Sequence, residues 1–505
     1  MDSDRTLQEW WGKWSEGIFF YPWERTFTKL ATPFEEFIHK QTTSGIVLLV
    51  GAGVALIIAN SPLREGYEHL IHTTISLKIG PWVMERSLAH WINEGLMTLF
   101  FFVVGLEIKR EILAGELADF RRASLPIVAA IGGMVTPALI YYLINPSGEA
   151  ARGWGIPMAT DIAFCVATLV ILGRRVPKSL MVFLVALAIV DDIGAVMVIA
   201  LFYTQELDMG ALIMAGLMLM ALLALNRVGV RRTLPYFLAG SALWLALFYS
   251  GVHATIAGVL AAFSIPARAK YRPRLFSIKM EELLERYEDT IRPEKTVLTN
   301  IEQHSVLRAL DDNLHNAEAP LQRMEDNLHL WVALVIIPAF ALTNAGIPLD
   351  LTTFKTAIEH PVSLGVLLGL LLGKPLGITS FSLLAYKLGI VRLSRGMNIR
   401  HVIGVGFLGG IGFTLSIFIA DLSFVGRPES LLMAKTGVIL GSVTAGFFGY
   451  LWLRLFTRPE EPAEDISPPE PSTGDSDEIR SPLPDDFDTP ALWPSERNRF
   501  PGRYT

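Results

Sequence analysis

Two adjacent carboxylates, Asp191 and Asp192, interrupt the apolar run ALAIVDDIGAVMV, and one lysine, Lys374, interrupts another, GVLLGLLLGKPLGITSF. No other charge occurs between about Leu180 and Tyr203. As a helix rising about 1.5 Å per residue, that stretch measures roughly 36 Å, enough for a hydrocarbon core of about 30 Å. The two acids then fall near mid-bilayer, where each carboxylate costs about 2.5 to 3.5 kcal/mol even on a lenient insertion scale, so both are retained for a purpose. An apolar cavity penalises the charged form of an acid, which lets H+ and a small hard cation compete for the same oxygens. Competition at one site that opens to one side at a time is enough to exchange the two, without hydrolysis or covalent chemistry and without a cofactor.

Adjacent helical residues point about 100° apart, so Asp191 and Asp192 cannot share a direction. One can pair with Lys374 while the other faces a water-filled cavity. Gly365, Gly369, Gly373 and Gly377 recur every four residues and form a seam that lets another helix approach beside Lys374. The remaining deep charge is Asp161 in GWGIPMATDIAF; Glu94 and Glu107 lie along LAHWINEGLMTLFFFVVGLEIKRE, with Glu107 beside Lys109 and Arg110 at the expected cytoplasmic end. Structural roles compete with functional ones here. A Lys374 salt bridge can simply fix helix packing, Asp161 can cap an interrupted helix, and Thr160 can satisfy a local carbonyl.

The elements that must position these residues are membrane spans. Hydrophobic residues make up 51% of the 505, charged ones 18%, and the mean hydropathy is +0.42. Cys165 is the only cysteine, which rules out an internal disulfide. About twelve apolar segments run near 44–60, 89–108, 124–144, 151–173, 179–203, 210–226, 233–248, 251–264, 329–347, 363–386, 400–421 and 431–455. Lys and Arg follow the even-numbered segments, whereas the loops TQELDMG and around Ser250 have none, which puts both termini in the cytoplasm. The predicted organisation is a cytoplasmic extension (1–43) that reads either as an amphipathic interfacial arm or as a soluble segment, spans one to eight (44–264), a charged helical cytoplasmic insert (265–328), spans nine to twelve (329–458) and a disordered acidic, proline-rich tail (459–505). That tail holds twelve acids against four arginines, so the rest of the chain is mildly basic despite a net charge of -6.

Two spans are predicted to be broken. Gly155 and Pro157 precede Thr160 and Asp161 in the fourth, and Gly404, Gly406, Gly409, Gly410 and Gly412 crowd the eleventh. Each is the middle member of a three-span group, which points to two repeats of opposite topology whose interrupted helices meet at the midplane. The outer loop SLKIGPWVME alternates around Gly80 and Pro81 like a short hairpin.

The stretches FFFVVGLEIKREILAGEL, GWGIPMATDIAF, LVALAIVDDIGAVMVIALFYT, SGVHATIAGV, LLGKPLGI and GGIGFTLSIFIA resemble those of NhaA-type sodium/proton antiporters, from about Pro33 to Arg458 apart from a lengthened insert. That family is a type example of inverted repeats, so the repeat expectation is not independent of it. The resemblance implies an all-α polytopic membrane protein of about twelve helices, with the two interrupted ones crossing at the midplane. It implies Asp192 as the central ligand for Na+ or Li+ and a proton carrier, Asp191 as its partner and the group that pairs with Lys374, and Thr160 and Asp161 as lining. Asp192, Asp191 and Thr160 would touch the transported Na+, and Lys374 would share in the proton traffic. Glu94 would line the ion's entry path, at a position where the family is expected to carry Asp. Glu107, Arg110, Glu325 and His253 resemble pH-response positions, although His253 sits among small residues and also reads as a packing element.

The implied activity is electrogenic, pH-regulated exchange of intracellular Na+ or Li+ for external H+, with no enzymatic reaction and no resident cofactor. The implied setting is the bacterial inner membrane, multi-pass, in contact with lipid, with no nucleic-acid partner and with a second copy joined through the hairpin. Two rival classes are an intramembrane aspartyl protease, whose GxGD motif is absent, and a cation channel, against which Lys374 argues because an ammonium repels a permeating cation.

Overall fold

The computed structural model describes residues 33–457 except 80–81, 205–206, 292–298, 349, 392 and 394–395. The extension before residue 33, the acidic tail and the tip of the predicted hairpin therefore lie outside the described residues. Within them the chain is helical apart from one antiparallel hairpin, Thr74–Ile79 with Trp82–Ser87, paired from Thr74 opposite Ser87 to Ile79 opposite Trp82.

Among the described residues, eight helices are long and apolar enough to cross a bilayer: Gln41–Ala59, Phe120–Ile144, Lys178–Phe202, Met209–Val228, Thr233–Ser250, Pro320–Asn344, Pro361–Lys387 and Pro428–Phe456. Two bent pairs bring the number to ten, Ala150–Met158 with Ile162–Leu172 at 41° and Ile399–Gly409 with Phe413–Ser423 at 46°. These are the two spans expected to break. The other two of the twelve expected segments do not meet the same criterion. Met97–Ala114 carries Glu107, Lys109, Arg110 and Glu111, and Ile256–Ser264 has only nine residues. The result is a multi-pass helical membrane protein. Ile213, Met214, Leu217 and Met220 make an exposed stripe along Met209–Val228. In water such a stripe is an aggregation liability; against lipid it is the ordinary surface.

Local chemistry sets the helix ends. The Asp208 side chain accepts from the Ala211 backbone N–H at 2.9 Å and starts Met209–Val228, which stops at Gly229, where φ is 81°. Ile399–Gly409 opens with a capping box between Asn398 and His401. The first helix begins at Pro33, ahead of its apolar window from Gln41. Two helices of the insert, Pro273–Asp289 and Ile301–Ala317, precede Pro320–Trp331, so Glu325 sits on the helix that runs on into the next span.

Pro361–Lys387 contains a π-helical turn at Gly369–Gly373, directly before Lys374. Its glycine seam lies on Phe120–Ile144 and on the end of Ala150–Met158. Gly377 meets the backbone of Gly132, while Gly369 and Gly373 meet Pro157 and Pro137, so a Cβ at any of the three would collide with its neighbour. This close approach brings the lysine helix against the helices that carry the other charges.

Candidate ion site at the two helix breaks

The two breaks satisfy each other's freed backbone groups. Asp161 donates its backbone N–H to the Ile411 carbonyl at 2.6 Å, the Cys165 thiol contacts the Leu408 carbonyl at 2.9 Å, and the Ser416 hydroxyl donates to the Ile156 carbonyl at 2.7 Å. An interrupted helix inside a bilayer needs such partners, because no water is there to supply them.

One carboxylate serves both breaks. Asp161 caps Ile162–Leu172 through the Phe164 N–H at 3.3 Å, and it also accepts from the Thr414 N–H at 3.2 Å and the Thr414 hydroxyl at 2.6 Å. Thr414 lies in the first turn of Phe413–Ser423, so the negative charge of Asp161 faces the positive ends of two helices at once. The capping reading of Asp161 therefore describes its geometry, and the cap is shared.

Asp191, Asp192 and Lys374 are 1%, 3% and 0% exposed. Lys374 forms a short ion pair with Asp191 Oδ2 and donates to the Thr160 hydroxyl at 3.0 Å. Thr160 Oγ1 lies 2.6 Å from Asp191 Oδ2 and 2.9 Å from the Gly409 carbonyl. A hydroxyl has one proton, so Thr160 can donate to only one of those two oxygens at a time. Asp191 Oδ1 and Asp192 Oδ1 are buried without a hydrogen-bond partner. The 100° between neighbouring residues turns Asp192 away from the lysine and towards a cavity of about 50 Å³ lined by Thr160, Asp161, Thr414, Glu107 and His329 among others. Such a volume exceeds what one water needs. Its oxygen donors, Asp192 foremost, are hard ligands suited to a small hard cation, and the same oxygens can take a proton.

The other predicted residues are distributed differently. Arg110 pairs with Glu325 at 2.7 Å, and Glu107 lies 3.7 Å from His329, so an ion pair and a carboxylate–imidazole contact link Met97–Ala114 to Pro320–Trp331, the second of them on the lining of the cavity. His253 is apart from them: its Nε2 lies 2.9 Å from the Tyr203 carbonyl, just past the end of the aspartate helix, as a packing residue would. Glu94 sits in the π-helical turn Trp91–Leu96 and does not line the cavity; its carbonyl accepts from the Trp244 indole at 3.2 Å. His329 and Thr414 are not singled out by the sequence, and neither is a second, half-buried cluster of Asn93, Asn344, Asp421 and Lys435. Spacing holds a signal for His329, since Glu107 with Arg110 and Glu325 with His329 each occupy one helix face.

Buried charge held between two mutually bonded broken helices, inside a bundle with an apolar exterior, defines a membrane protein built around a polar path. Residues 35–453 match the family model described as Na+/H+ antiporter 1, and the chain belongs to that family. It is 50% identical over 439 residues to the Na(+)/H(+) antiporter NhaA of Sulfurimonas denitrificans, covering 87% of this chain and 99% of that one. It is 48% identical over 431 residues to Na(+)/H(+) antiporter NhaA 1 of Saccharophagus degradans, covering 85% and 93%. It is 46% identical over 438 residues to the Na(+)/H(+) antiporter NhaA of Syntrophobacter fumaroxidans, covering 86% and 92%.

Proposed function

We propose that this protein exchanges Na+ or Li+ for H+ across a bacterial inner membrane, moving Na+ out as H+ enters. The observation that carries the reading is the division of labour between neighbours. Asp191 is committed to Lys374 and Thr160, whereas Asp192 lines the cavity and its Oδ1 has no hydrogen-bond partner. Asp192 is the group that holds either H+ or the cation. Thr160 and Asp191 complete the oxygen set as the Thr160 proton shifts between its two acceptors. Asp161 keeps both helix ends neutralised so that the breaks can move without exposing bare dipoles. Lys374 exchanges a proton when its contact with Asp191 opens.

Membership of the family supports twelve membrane-crossing segments in two inverted repeats, with Met97–Ala114 and Ile256–Ser264 as the two additional ones and both termini in the cytoplasm. It also supports a homodimer joined through the Thr74–Ser87 hairpin. Asp191 and Asp192 point in different directions, which leaves the protease reading without a shared water position. On this orientation the Arg110–Glu325 and Glu107–His329 pairs lie at the cytoplasmic end and set the pH response, without His253 and its Tyr203 tether. Glu94, in the π-helical turn ahead of Met97–Ala114, lines the ion's entry path.

Proteoliposomes with a preset pH gradient test the proposal. Na+ or Li+ should collapse the gradient with the wild type and fail to do so with Asp192→Asn; wild-type rates from Asp191→Asn/Asp192→Asn would reject the reading. Run across pH, Arg110→Gln/Glu325→Gln should displace the activity profile, and an unmoved profile removes those residues from the pH response.

A further inference from the structure

A second ion pair, largely but not fully buried, lies outside the site described above. Lys435, on Pro428–Phe456, contacts Asp421 Oδ1 at 2.9 Å and Asn344 Oδ1 at 3.2 Å. Lys435 is 13% exposed and Asp421 16%. Asn344 is held in orientation by its own amide, which donates to Asn93 Oδ1 at 2.7 Å and to the Phe340 carbonyl at 3.1 Å, so its oxygen accepts from the ammonium and, at 3.2 Å, from the Asn93 amide. Asn93 also reaches Asp421 Oδ2 at 3.4 Å. Four separate helices thus converge on one tethered cation surrounded by carboxylate and amide oxygens.

The position of the cluster matters. Asp421 follows Thr414 by seven residues on the same short helix, about 10 Å along its axis, so Phe413–Ser423 joins this pair to the break that Asp161 caps. Phe101, Phe340 and Phe418 fill the space beside it, with ring centroids 5.5 Å and 6.3 Å apart for the two pairs made by Phe418. Phe418 lies one turn before Asp421, and Phe340 one turn before Asn344. The aromatic trio therefore packs against the same helices on the side of the cluster that faces the breaks.

We infer that Asp421 and Asn344 form a second, outer site for a monovalent alkali cation, a place the Lys435 ammonium fills in the present conformation and yields when the exchanger turns outward. The inference rests on the antiport reading and its orientation. An ammonium and Na+ carry the same charge, so trading one for the other leaves the electrostatic balance of the cluster intact, and carboxylate and amide oxygens are ligands a hard cation accepts. Lys435 is then a built-in competitor. Its return displaces the ion to the outside and keeps the release site from holding cargo tightly.

The test compares Na+ applied to the outer face with Na+ applied to the cytoplasmic face of oriented vesicles carrying the full chain. Asp421→Asn should raise the outer-face KM for Na+ about tenfold, as loss of one charged ligand does, and leave the cytoplasmic-face KM within about twofold. Lys435→Gln should lower the outer-face KM. The double variant should behave like Asp421→Asn. A pair that only fixes packing would instead impair both faces in each single variant and recover in the double variant; that outcome overturns the inference and leaves the antiport reading standing. Absence of Na+-dependent exchange from either face of the wild type would overturn both.

Discussion

Lys374 and Asp191 make a fully buried pair, and such pairs have an asymmetric energetics. Removing one member strands the other charge in a medium that cannot solvate it, at a cost of about 3 to 5 kcal/mol, whereas replacing both by uncharged groups of similar volume is near neutral. Lys374→Ala is therefore expected to lower the thermal unfolding midpoint sharply in detergent, and Lys374→Met/Asp191→Asn to recover most of it without recovering exchange. If the double variant regained transport as well, the pair would serve packing alone. The acids and the lysine of this site are legible in the sequence because a charge in an apolar run has no cheap explanation. Thr414, His329 and Asn344 are not, for the opposite reason. A hydroxyl, an imidazole or an amide near a span end has many ordinary roles, and its partners here lie on helices far away in sequence. Glu94 shows the limit from the other side: the sequence marks it as a charge within a span, and its place in a π-helical turn away from the cavity depends on backbone detail that no residue type announces.

Helices deliver these side chains only because some of them touch backbone to backbone. Gly377 and Gly132 face each other with no room for a Cβ on either, one turn from Lys374. Gly377→Ala should push the helices apart, destabilise by about 1 to 3 kcal/mol through overpacking, and loosen the Lys374 contact, lowering exchange along with the unfolding midpoint. Gly216→Ala is the control. A Cβ there meets nothing, so the change should be neutral or stabilising by up to about 1 kcal/mol, the usual helical gain from glycine to alanine. Equal effects from the two would refute the seam as the device that places the lysine. The seam and both breaks can be read in advance, since glycine every four residues and proline within an apolar run have direct backbone consequences. The span count is harder to read. The charges on Met97–Ala114 and the shortness of Ile256–Ser264 make them poor membrane helices by length and composition, and it is packing against neighbours that holds them.

At the scale of the whole molecule the question is what drives the cycle. The site gathers Asp191, Asp192 and Lys374 beside a cavity of about 50 Å³, and on the proposed reading all three carry protons, so that one turn moves more protons inward than sodium ions outward. Each unbalanced charge is worth about 2.3 kcal/mol per 100 mV. Since 1.4 kcal/mol corresponds to tenfold, one net charge against that potential sustains a Na+ gradient of about fiftyfold with no pH gradient at all. The expected result is that in vesicles with the cytoplasmic face inside, equal pH on both sides and an imposed inside-negative potential, Na+ leaves against its own gradient, and that collapsing the potential stops it. Exchange indifferent to the potential would mean that the charges balance in each turn. The Lys374–Asp191 contact would then be a fixed part of the scaffold, and only Asp192 would carry protons.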